Sequence, residues 1–234
     1  MAKVLVACEF SGTVRDAFLA IGHDAFSCDL LPSETGSNRH IRGDVLDILD
    51  DGWDCLIVAH PPCTRLCNSG VRWLSEPPKH RQPDYPPEYD SWTRDERLAF
   101  MWAELDKGAA LFSKLWNADI PHVAVENPVM HPHAKERIIN YEPAAQTVQP
   151  WWFGEPQFKG TGLYLRNLPP LVPTDRLTPP KRGTDEHKAW SVVHRMGRSV
   201  NRSKERSRFF PGIAAAMADQ WMPIIEPTAM RRAA

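Results

Sequence analysis

Short apolar runs alternate with polar, turn-forming segments along the chain. Each run is rich in β-branched residues and stops at a polar residue or a turn, which is typical of a buried strand. The predicted strands are 3–8, 24–28, 40–45, 54–59, 120–125 and 162–165. Helical spacing of apolar residues predicts helices over 14–21, 93–116 and 213–221, with a capping box at Thr93 and Glu96. The alternation predicts an α/β, Rossmann-like fold, with a mostly parallel sheet and helices on both faces.

Residues that could bind a ligand or take part in catalysis follow the ends of these strands. Glu9, Asp29 and Asp44 follow the first three, and Cys63 and Glu126 follow the next two. Open α/β sheets bind ligands outside the carboxyl ends of their strands, so we expect these residues along one edge of the sheet. An acid at the tip of the second strand binds ribose hydroxyls in Rossmann-like folds, whereas a turn or helix-capping aspartate is the structural alternative.

The loop after the fourth strand carries the sequence Pro61-Pro62-Cys63. Proline cannot donate to a strand ladder, so the two prolines end the strand and stiffen the loop that holds the thiol. This predicts a nucleophilic Cys63, with a small buried cysteine after a turn as the alternative. We expect Cys67, one helical turn further on, to be structural.

Length and cysteine usage favour one cytoplasmic domain. The 234 residues suit a single α/β domain over 1–234, and no run is long enough to cross a membrane. The start of the chain has no signal-peptide pattern, and the five cysteines form no CxxC pair, so neither a disulfide framework nor a zinc knuckle is indicated. His131 and His133 form an H-x-H pair among prolines, which predicts a loop and no metal.

Two segments are candidates for contact with nucleic acid or a nucleotide. The segment 68–92 is proline-rich and reads as an inserted loop or lid, in which Arg72 and Trp73 could clamp and stack on a base. The segment 166–208 is proline-rich and basic, and its part 181–208 holds nine Lys/Arg against three acids, although the whole chain carries a net charge of −1. Solvated surface loops are the structural alternative for both.

The motifs and their order resemble those of the cytosine-C5 DNA methyltransferase family. The matching features are Phe10-Ser11-Gly12 after the first strand, acids after the second and third, Pro62-Cys63 after the fourth, Glu126-Asn127 after the fifth, Gly154-Glu155-Pro156-Gln157 before a strand, and Arg208-Phe209-Phe210-Pro211-Gly212 before the last helix. Lys159 and Thr161 stand where the family has two arginines, and Pro128 stands where it has valine. The Pro-Cys and Glu-Asn pairs, separated by a long helix, are the specific part of the resemblance.

The resemblance implies an S-adenosylmethionine-dependent methyltransferase fold that acts on cytosine in DNA. The implied cofactor-binding residues are Glu9, Phe10, Ser11, Gly12, Asp29, Leu30, Asp44, Val45 and Pro61. The implied substrate-binding residues are Pro62, Gln157 and Thr161, to which the 68–92 loop adds Arg72 and Trp73. The implied catalytic residues are Cys63, Glu126, Asn127, Lys159 and Arg65.

The chemistry of C5 methylation requires such residue types. Carbon 5 of cytosine is a poor nucleophile until a thiolate adds at carbon 6, which is the expected role of Cys63. Arg65 is a candidate for stabilising that thiolate. A carboxyl such as Glu126 must meet N3 and the exocyclic amine, and a cation such as Lys159 can stabilise charge at O2. A cytosine in a duplex would have to be flipped out of the stack.

Two departures from the family keep alternatives open. The region available for target recognition is short, so the substrate could be duplex DNA, single-stranded DNA or a cytosine nucleotide. His60-Pro61-Pro62-Cys63 also resembles the Asp/Asn/Ser-Pro-Pro-aromatic loop of amino-methyltransferases that act on adenine N6 or cytosine N4, although the aromatic residue is missing. A catalytically inactive methyltransferase-like module that binds nucleic acid is the non-enzyme alternative. The oligomeric state stays open.

Overall fold

The computed structural model describes residues 1–195 and 208–232. The chain divides into two compact units. Unit 1 comprises Met1–Pro61, Ala118–Glu126 and the chain from Pro143 onward, and unit 2 comprises Pro62–Asn117 and Asn127–Glu142. The chain therefore leaves unit 1 after Pro61 and again after Glu126.

Unit 1 is built on a seven-stranded sheet with the order β3-β2-β1-β4-β5-β7-β6. The strands are β1 Lys3–Ala7, β2 Asp24–Asp29, β3 His40–Arg42, β4 Cys55–Val58, β5 His122–Asn127, β6 Gln146–Val148 and β7 Thr161–Arg166. The neighbours from β3 to β5 pair in parallel, and β6 pairs antiparallel to β7. The predicted α/β class and mostly parallel sheet are confirmed, whereas β6 escaped prediction because only Val148 of its three residues is buried.

The central strands are apolar on both faces because the sheet buries them on both faces. Every residue of β4 is buried, and β5 is buried along its whole length. Ala7 of β1 pairs with Val58 of β4, which pairs in turn with Val125 of β5. The carboxyl ends of these strands therefore lie at one edge of the sheet, as the sequence predicted.

Two helices of unit 1, α1 Thr13–Ala20 and α6 Pro211–Arg232, pack against each other. Val14 and Phe18 of α1 join the same core cluster as Ile213 and Trp221 of α6. The predicted end of the last helix at Trp221 is wrong, although proline at position 223 would normally break a helix. The helix continues because buried Met222 and Ile225 extend its apolar face over the core.

The basic segment before α6 is partly helical. Two short helices, α4 Asp185–Trp190 and α5 Val192–Arg195, occupy part of the basic stretch 181–208, for which the sequence predicted no regular structure. Thr184 caps α4 by accepting from the backbone N–H of His187. The basic composition of this stretch gave no indication that a helix begins here. The predicted basic contacts at Arg198, Arg202, Lys204 and Arg206 lie outside the described residues.

Unit 2 is organised around helix α2, Arg94–Trp116. The predicted capping box is confirmed: Thr93 accepts from the Glu96 N–H, and the Glu96 carboxylate accepts from the Thr93 N–H at 2.7 Å. The 68–92 segment contains two 3-10 turns, at Val71–Leu74 and Pro87–Ser91. Tyr89 of the second turn contacts Phe100 edge-on and packs at a tilt against Tyr85 and Trp92.

The loop predicted at His131 and His133 is wrong, since Pro132–Lys135 forms a one-turn helix, α3. Proline suits the first turn of a helix because its missing N–H would have no partner there. His131 caps the turn by accepting from the Ala134 N–H. Within the described parts of the chain, no helix has both the length and the apolar content needed to cross a bilayer.

Candidate functional site

The loop between β1 and α1 is held by a buried carboxyl group. The side chain of Glu9 is fully buried, and its two oxygens accept from the N–H groups of Val14 and Arg15 at 2.6 and 3.2 Å. These N–H groups belong to the first turn of α1, where a helix has no internal acceptors for them. Burial raises the pKa of Glu9 to about 7, against the opposing effect of these hydrogen bonds. Glu9 thus fixes the loop to the first turn of α1.

A buried arginine fixes the other side of the same loop. The Arg15 guanidinium donates to Ser27 Oγ at 2.8 Å, Thr35 Oγ1 at 3.2 Å and Asp16 Oδ1 at 2.8 Å. Gly12 lies directly against it with φ +80°, and a Cβ at this position would come within 2.1 Å of Arg15 Nη2. Cys8, at the end of β1, also has a left-handed backbone, with φ +56°. Such strained positions cluster at functional sites.

Gly12→Ala is expected to lower the free energy of unfolding by about 2 kcal/mol or more, from left-handed backbone strain and overlap with Arg15. Gly36→Ala is the matched control, because Gly36 has φ +65° with nothing within 4 Å of the added Cβ. The free energy of unfolding of both variants is measured with denaturant, and the difference between them gives the cost of the overlap with Arg15. Equal losses of stability in the two variants would show that the Arg15 side chain moves aside and that the loop is not rigid.

The raised pKa of Glu9 predicts a pH dependence of stability. Between pH 4.5 and about 7 the folded state binds more protons at Glu9 than the unfolded state, so the free energy of unfolding falls as pH rises through this window. The expected loss is on the order of 3 kcal/mol. In Glu9→Gln this contribution disappears, because the amide does not titrate. The measurement is the stability difference between wild type and variant against pH, and a difference that stays constant from pH 4.5 to 7.5 would contradict it.

The tips of β2 and β3 present acids beside an exposed apolar side chain. Asp29 is half-buried and accepts from the Leu31 N–H at 2.9 Å, while burial raises its pKa. The adjacent Leu30 is 71% exposed. Asp44 is exposed and accepts from the Leu46 N–H at 3.0 Å, and Val45 beside it is buried. Two carboxylates and one apolar surface therefore face the outside of unit 1 from neighbouring strands.

The tip of β4 carries His60, whose role the sequence left open. Burial and the nearby Lys159 charge lower the pKa of His60 to about 3, so the imidazole is neutral at physiological pH. Its Nε2 atom is buried without a hydrogen-bond partner, and its ring lies 5.7 Å from that of Phe209. A buried polar atom without a partner costs free energy unless a ligand supplies one. Pro61, the next residue, is buried.

Lys159 and the residues around it link the last part of unit 1 to the β1–α1 loop. The ammonium of Lys159 donates to the Arg208 carbonyl at 3.2 Å. The Arg208 guanidinium makes a two-pronged ion pair with Glu34 at 2.9 and 3.0 Å, and the Glu34 N–H donates to the Phe10 carbonyl at 3.0 Å. Residues 208–210, which the sequence matched only weakly, therefore lie beside the candidate cofactor loop.

The remaining predicted site residues of unit 1 are partly or fully buried. Glu126 is 7% exposed and Thr161 is 5% exposed. Thr161 Oγ1 donates to the Lys159 carbonyl at 3.4 Å. Gln157 is half-buried, and Phe10 and Ser11 are buried in the loop after β1.

The predicted nucleophile begins a helical turn in unit 2. The N–H groups of Leu66 and Cys67 both donate to the Cys63 carbonyl at 3.0 Å. Pro62 before it is exposed, and Cys63 is half-buried. Gly70 closes the loop, because a Cβ there would come within 2.0 Å of the Thr64 carbonyl oxygen. The thiol therefore stands on a short, well-ordered turn.

Backbone contacts tie this turn to the segment that follows Glu126. The Asn68 N–H donates to the Val129 carbonyl at 2.9 Å, and the His131 N–H donates to the Leu66 carbonyl at 3.1 Å. Cys67 and Met130 form an antiparallel bridge between these two bonds. Unit 2 thus joins the Cys63 turn to the segment 129–131, although the two are far apart in sequence.

His131 and Asn127 complete this part of unit 2. His131 is buried; its Nδ1 accepts from the Ala134 N–H, so its Nε2 donates to the Arg65 carbonyl, at 2.8 Å. Asn127 is fully buried, donates from Nδ2 to the Pro128 carbonyl at 2.8 Å, and leaves its Oδ1 without a partner. Both ring nitrogens of His131 are therefore engaged in holding the loop.

The predicted cations of unit 2 are paired with aromatic rings. Arg65 donates to the Tyr85 hydroxyl at 2.9 Å, and its guanidinium lies 5.3 Å from the centre of that ring. Arg72 is exposed, and its guanidinium lies 4.2 Å from the centre of the Trp73 ring. Stacked pairs of this kind offer both a charge and a flat surface to a nucleic acid.

The predicted site residues therefore fall into two groups. The cofactor-binding candidates, with Glu126, Lys159, Gln157 and Thr161, belong to unit 1, and Cys63, Arg65, Arg72, Trp73 and Asn127 belong to unit 2. Sequence reasoning missed Arg15, because a buried arginine six residues after Glu9 leaves no periodic signal.

No known family model matches the chain, and a search of curated proteins finds no significant match. Among the described residues, no group of three or more His, Cys, Asp or Glu side chains could hold a metal ion. The functional assignment therefore depends on the geometry of the loops themselves.

Proposed function

We propose that the protein transfers a methyl group from S-adenosylmethionine to C5 of cytosine in DNA. The observation that carries the proposal is the joining of the Cys63 turn to the segment after Glu126 by the Asn68–Val129 and His131–Leu66 hydrogen bonds. The candidate nucleophile is thereby held next to the segment that continues from the end of β5, two stretches that are far apart in sequence.

The β1–α1 loop favours a cofactor without phosphate groups at that position. Rossmann-like folds that bind dinucleotides place the pyrophosphate on the free N–H groups at the start of the first helix. Here the carboxyl of Glu9 already accepts from the Val14 and Arg15 N–H groups. A pyrophosphate would have to displace it, whereas S-adenosylmethionine makes no such demand.

The exposed groups at the tips of β2 and β3 fit the nucleoside of that cofactor. Asp29 would bind the ribose hydroxyls, Leu30 would cover one face of the adenine, and Asp44 would accept from the adenine amine. Leu30 is 71% exposed, and packing against the adenine ring would remove its apolar surface from water, which is favourable. The backbone at Phe10–Gly12 would border the amino-acid end. When bound, S-adenosylmethionine supplies an electrophilic methyl group.

The residues of the chain account for the activation of the base. The Cys63 sulfur adds to C6 of a flipped cytosine, and electron density moves onto the ring toward C5 and N3. Glu126 hydrogen-bonds N3 and the exocyclic amine and supports protonation at N3 during addition. Lys159 stabilises negative charge at O2. Once C5 carries the methyl group, its proton leaves to solvent, the electron pair re-forms the C5–C6 double bond, and the sulfur–C6 bond breaks.

Labelled S-adenosylmethionine incubated with duplex DNA, single-stranded DNA, RNA and dCMP tests the proposal. We expect label in 5-methylcytosine after nucleoside analysis, in DNA but not in RNA, and the better DNA substrate identifies the target form. Label in dCMP alone would make the protein a nucleotide-modifying enzyme. Calorimetric titration separates the binding-module alternative, since DNA binding without S-adenosylmethionine binding would overturn the proposal.

One observation favours amino-methylation as a second candidate. His60 occupies the first position of the Pro-Pro loop, where amino-methyltransferases hold the target amine, and its neutral imidazole has a buried Nε2 without a partner. An imidazole nitrogen of this kind could accept a hydrogen bond from an adenine N6 or cytosine N4 amine. Nucleoside analysis distinguishes the products directly, because N4-methylcytosine and N6-methyladenine separate from 5-methylcytosine.

A further inference from the structure

Cys63 and Cys67 are neighbouring thiols on one turn of unit 2. The two residues lie one helical turn apart, with the Cys67 N–H bonded to the Cys63 carbonyl, so their side chains leave the turn on the same side. Cys67 is 7% exposed, whereas Cys63 is half-buried. The more accessible Cys63 thiol therefore lies next to the buried Cys67 thiol.

The surroundings of Cys67 favour negative charge on its sulfur. The Ser69 hydroxyl lies 3.0 Å from the Cys67 Sγ and can donate to a thiolate, whereas the Thr64 carbonyl, at 3.8 Å, accepts from the protonated thiol. The pKa of Cys67 is lowered to about 5, chiefly by the hydrogen bond with Cys63, with further help from the Ser69 hydroxyl and the N–H groups of Ser69 and Gly70, against the effect of burial. By contrast, burial raises the pKa of Cys8 to about 12 and that of Cys28 to about 11.

The other polar groups near the turn are already engaged. The Arg65 guanidinium is bound to the Tyr85 hydroxyl. His131, next to the Met130 that bridges Cys67, uses both ring nitrogens on backbone groups. The Ser69 hydroxyl and the Cys63 side chain are thus the side-chain groups that act on the Cys67 sulfur.

We propose that Cys67 is a positioning residue for the Cys63 nucleophile, holding one shared proton with it and accepting that proton when Cys63 attacks. This rests on the proposed function for the identity of the attacked atom. In the step, the bond from Cys63 Sγ to C6 forms, the C5–C6 π electrons move onto C5 and toward N3, and the proton of Cys63 passes to Cys67 Sγ. When the adduct breaks down, the C5 proton leaves to solvent, its electron pair re-forms the C5–C6 double bond, the sulfur–C6 bond breaks, and Cys67 returns its proton to Cys63. No oxidant or reductant is required.

Thiol titration tests this inference without DNA or S-adenosylmethionine. Iodoacetamide alkylation is followed against pH, and trypsin separates the two sites, because cleavage after Arg65 puts Cys63 and Cys67 in different peptides. In Cys67→Ser we expect Cys63 alkylation at pH 6.5 to slow at least tenfold, with its midpoint moving up to that of an ordinary thiol near 8.5. Cys55→Ala, which removes a buried core thiol, is the matched control and should leave the profile unchanged.

An unchanged Cys63 profile in folded Cys67→Ser would overturn the inference and leave Cys67 structural. Should that variant fail to fold, thiolate absorbance near 240 nm in the wild-type protein decides, since absence of any thiol titrating below pH 7.5 overturns it equally. The outcomes also separate the two proposals. A low-titrating pair without methyl transfer would refute the proposed function alone, and methyl transfer with ordinary thiols would refute only the pair.

Discussion

Cys63→Ser is expected to reduce transfer of the methyl group to cytosine C5 by at least about a thousandfold. Serine preserves the size and the backbone of the turn, but its hydroxyl is far less nucleophilic than a thiolate and cannot activate C6 at neutral pH. The measurement is the single-turnover rate with labelled S-adenosylmethionine and the best DNA substrate. Binding of the cofactor should be unchanged, because its candidate residues belong to unit 1.

Cys55→Ala provides the control for loss of a thiol as such, since Cys55 lies in the core of unit 1 at the start of β4. It should retain a rate close to that of wild type when folded. An amino-methyltransferase has no need of a thiol, so a Cys63→Ser variant with full activity would support transfer to an amine, with His60 as the residue that meets it.

Glu126→Gln is expected to lower the rate of transfer by about 10²–10⁴-fold. The amide is nearly isosteric and can still hydrogen-bond the base, but it cannot supply a proton as charge develops at N3. Because Glu126 is 7% exposed at the end of β5, water cannot readily take its place. The loss should appear in the single-turnover rate more than in DNA affinity.

Glu142→Gln makes the same chemical change on an exposed side chain and is the matched control. Its rate should equal that of wild type. A loss of less than about threefold in Glu126→Gln, against the size expected for a general acid, would remove Glu126 from the proton transfers. The proposed mechanism would then lack its acid.

The strands that carry the candidate site were readable from sequence because burial on both faces leaves a continuous apolar run. The runs at 54–59 and 120–125 predicted β4 and β5 to within a few residues, and with them the position of the chain exits before Cys63 and after Glu126. Strands at the edge of the sheet were harder to predict from the sequence. Strand β6 has three residues with only one buried, and its partner is set by tertiary pairing with β7 and not by local pattern.

The chemistry-bearing residues were predicted by type and strand position, whereas their partners were not. Nothing local in the sequence indicates that Arg15 folds under Gly12, since its acceptors Ser27 and Thr35 come from other segments. The same holds for Arg65, predicted to assist the thiolate, whose guanidinium binds Tyr85 twenty residues on. The tertiary fold determines which partners a long side chain meets, and the periodicity of the sequence does not reveal those partners.

The most direct test of C5 chemistry is covalent capture of the nucleophile. The protein is incubated with S-adenosylmethionine and an oligonucleotide containing 5-fluoro-2′-deoxycytidine, in which fluorine replaces the proton that must leave C5. Our account predicts a denaturant-stable adduct whose mass equals protein plus methylated oligonucleotide, mapped by peptide mass spectrometry to Cys63. Methylation of the unmodified oligonucleotide without any such adduct would contradict it.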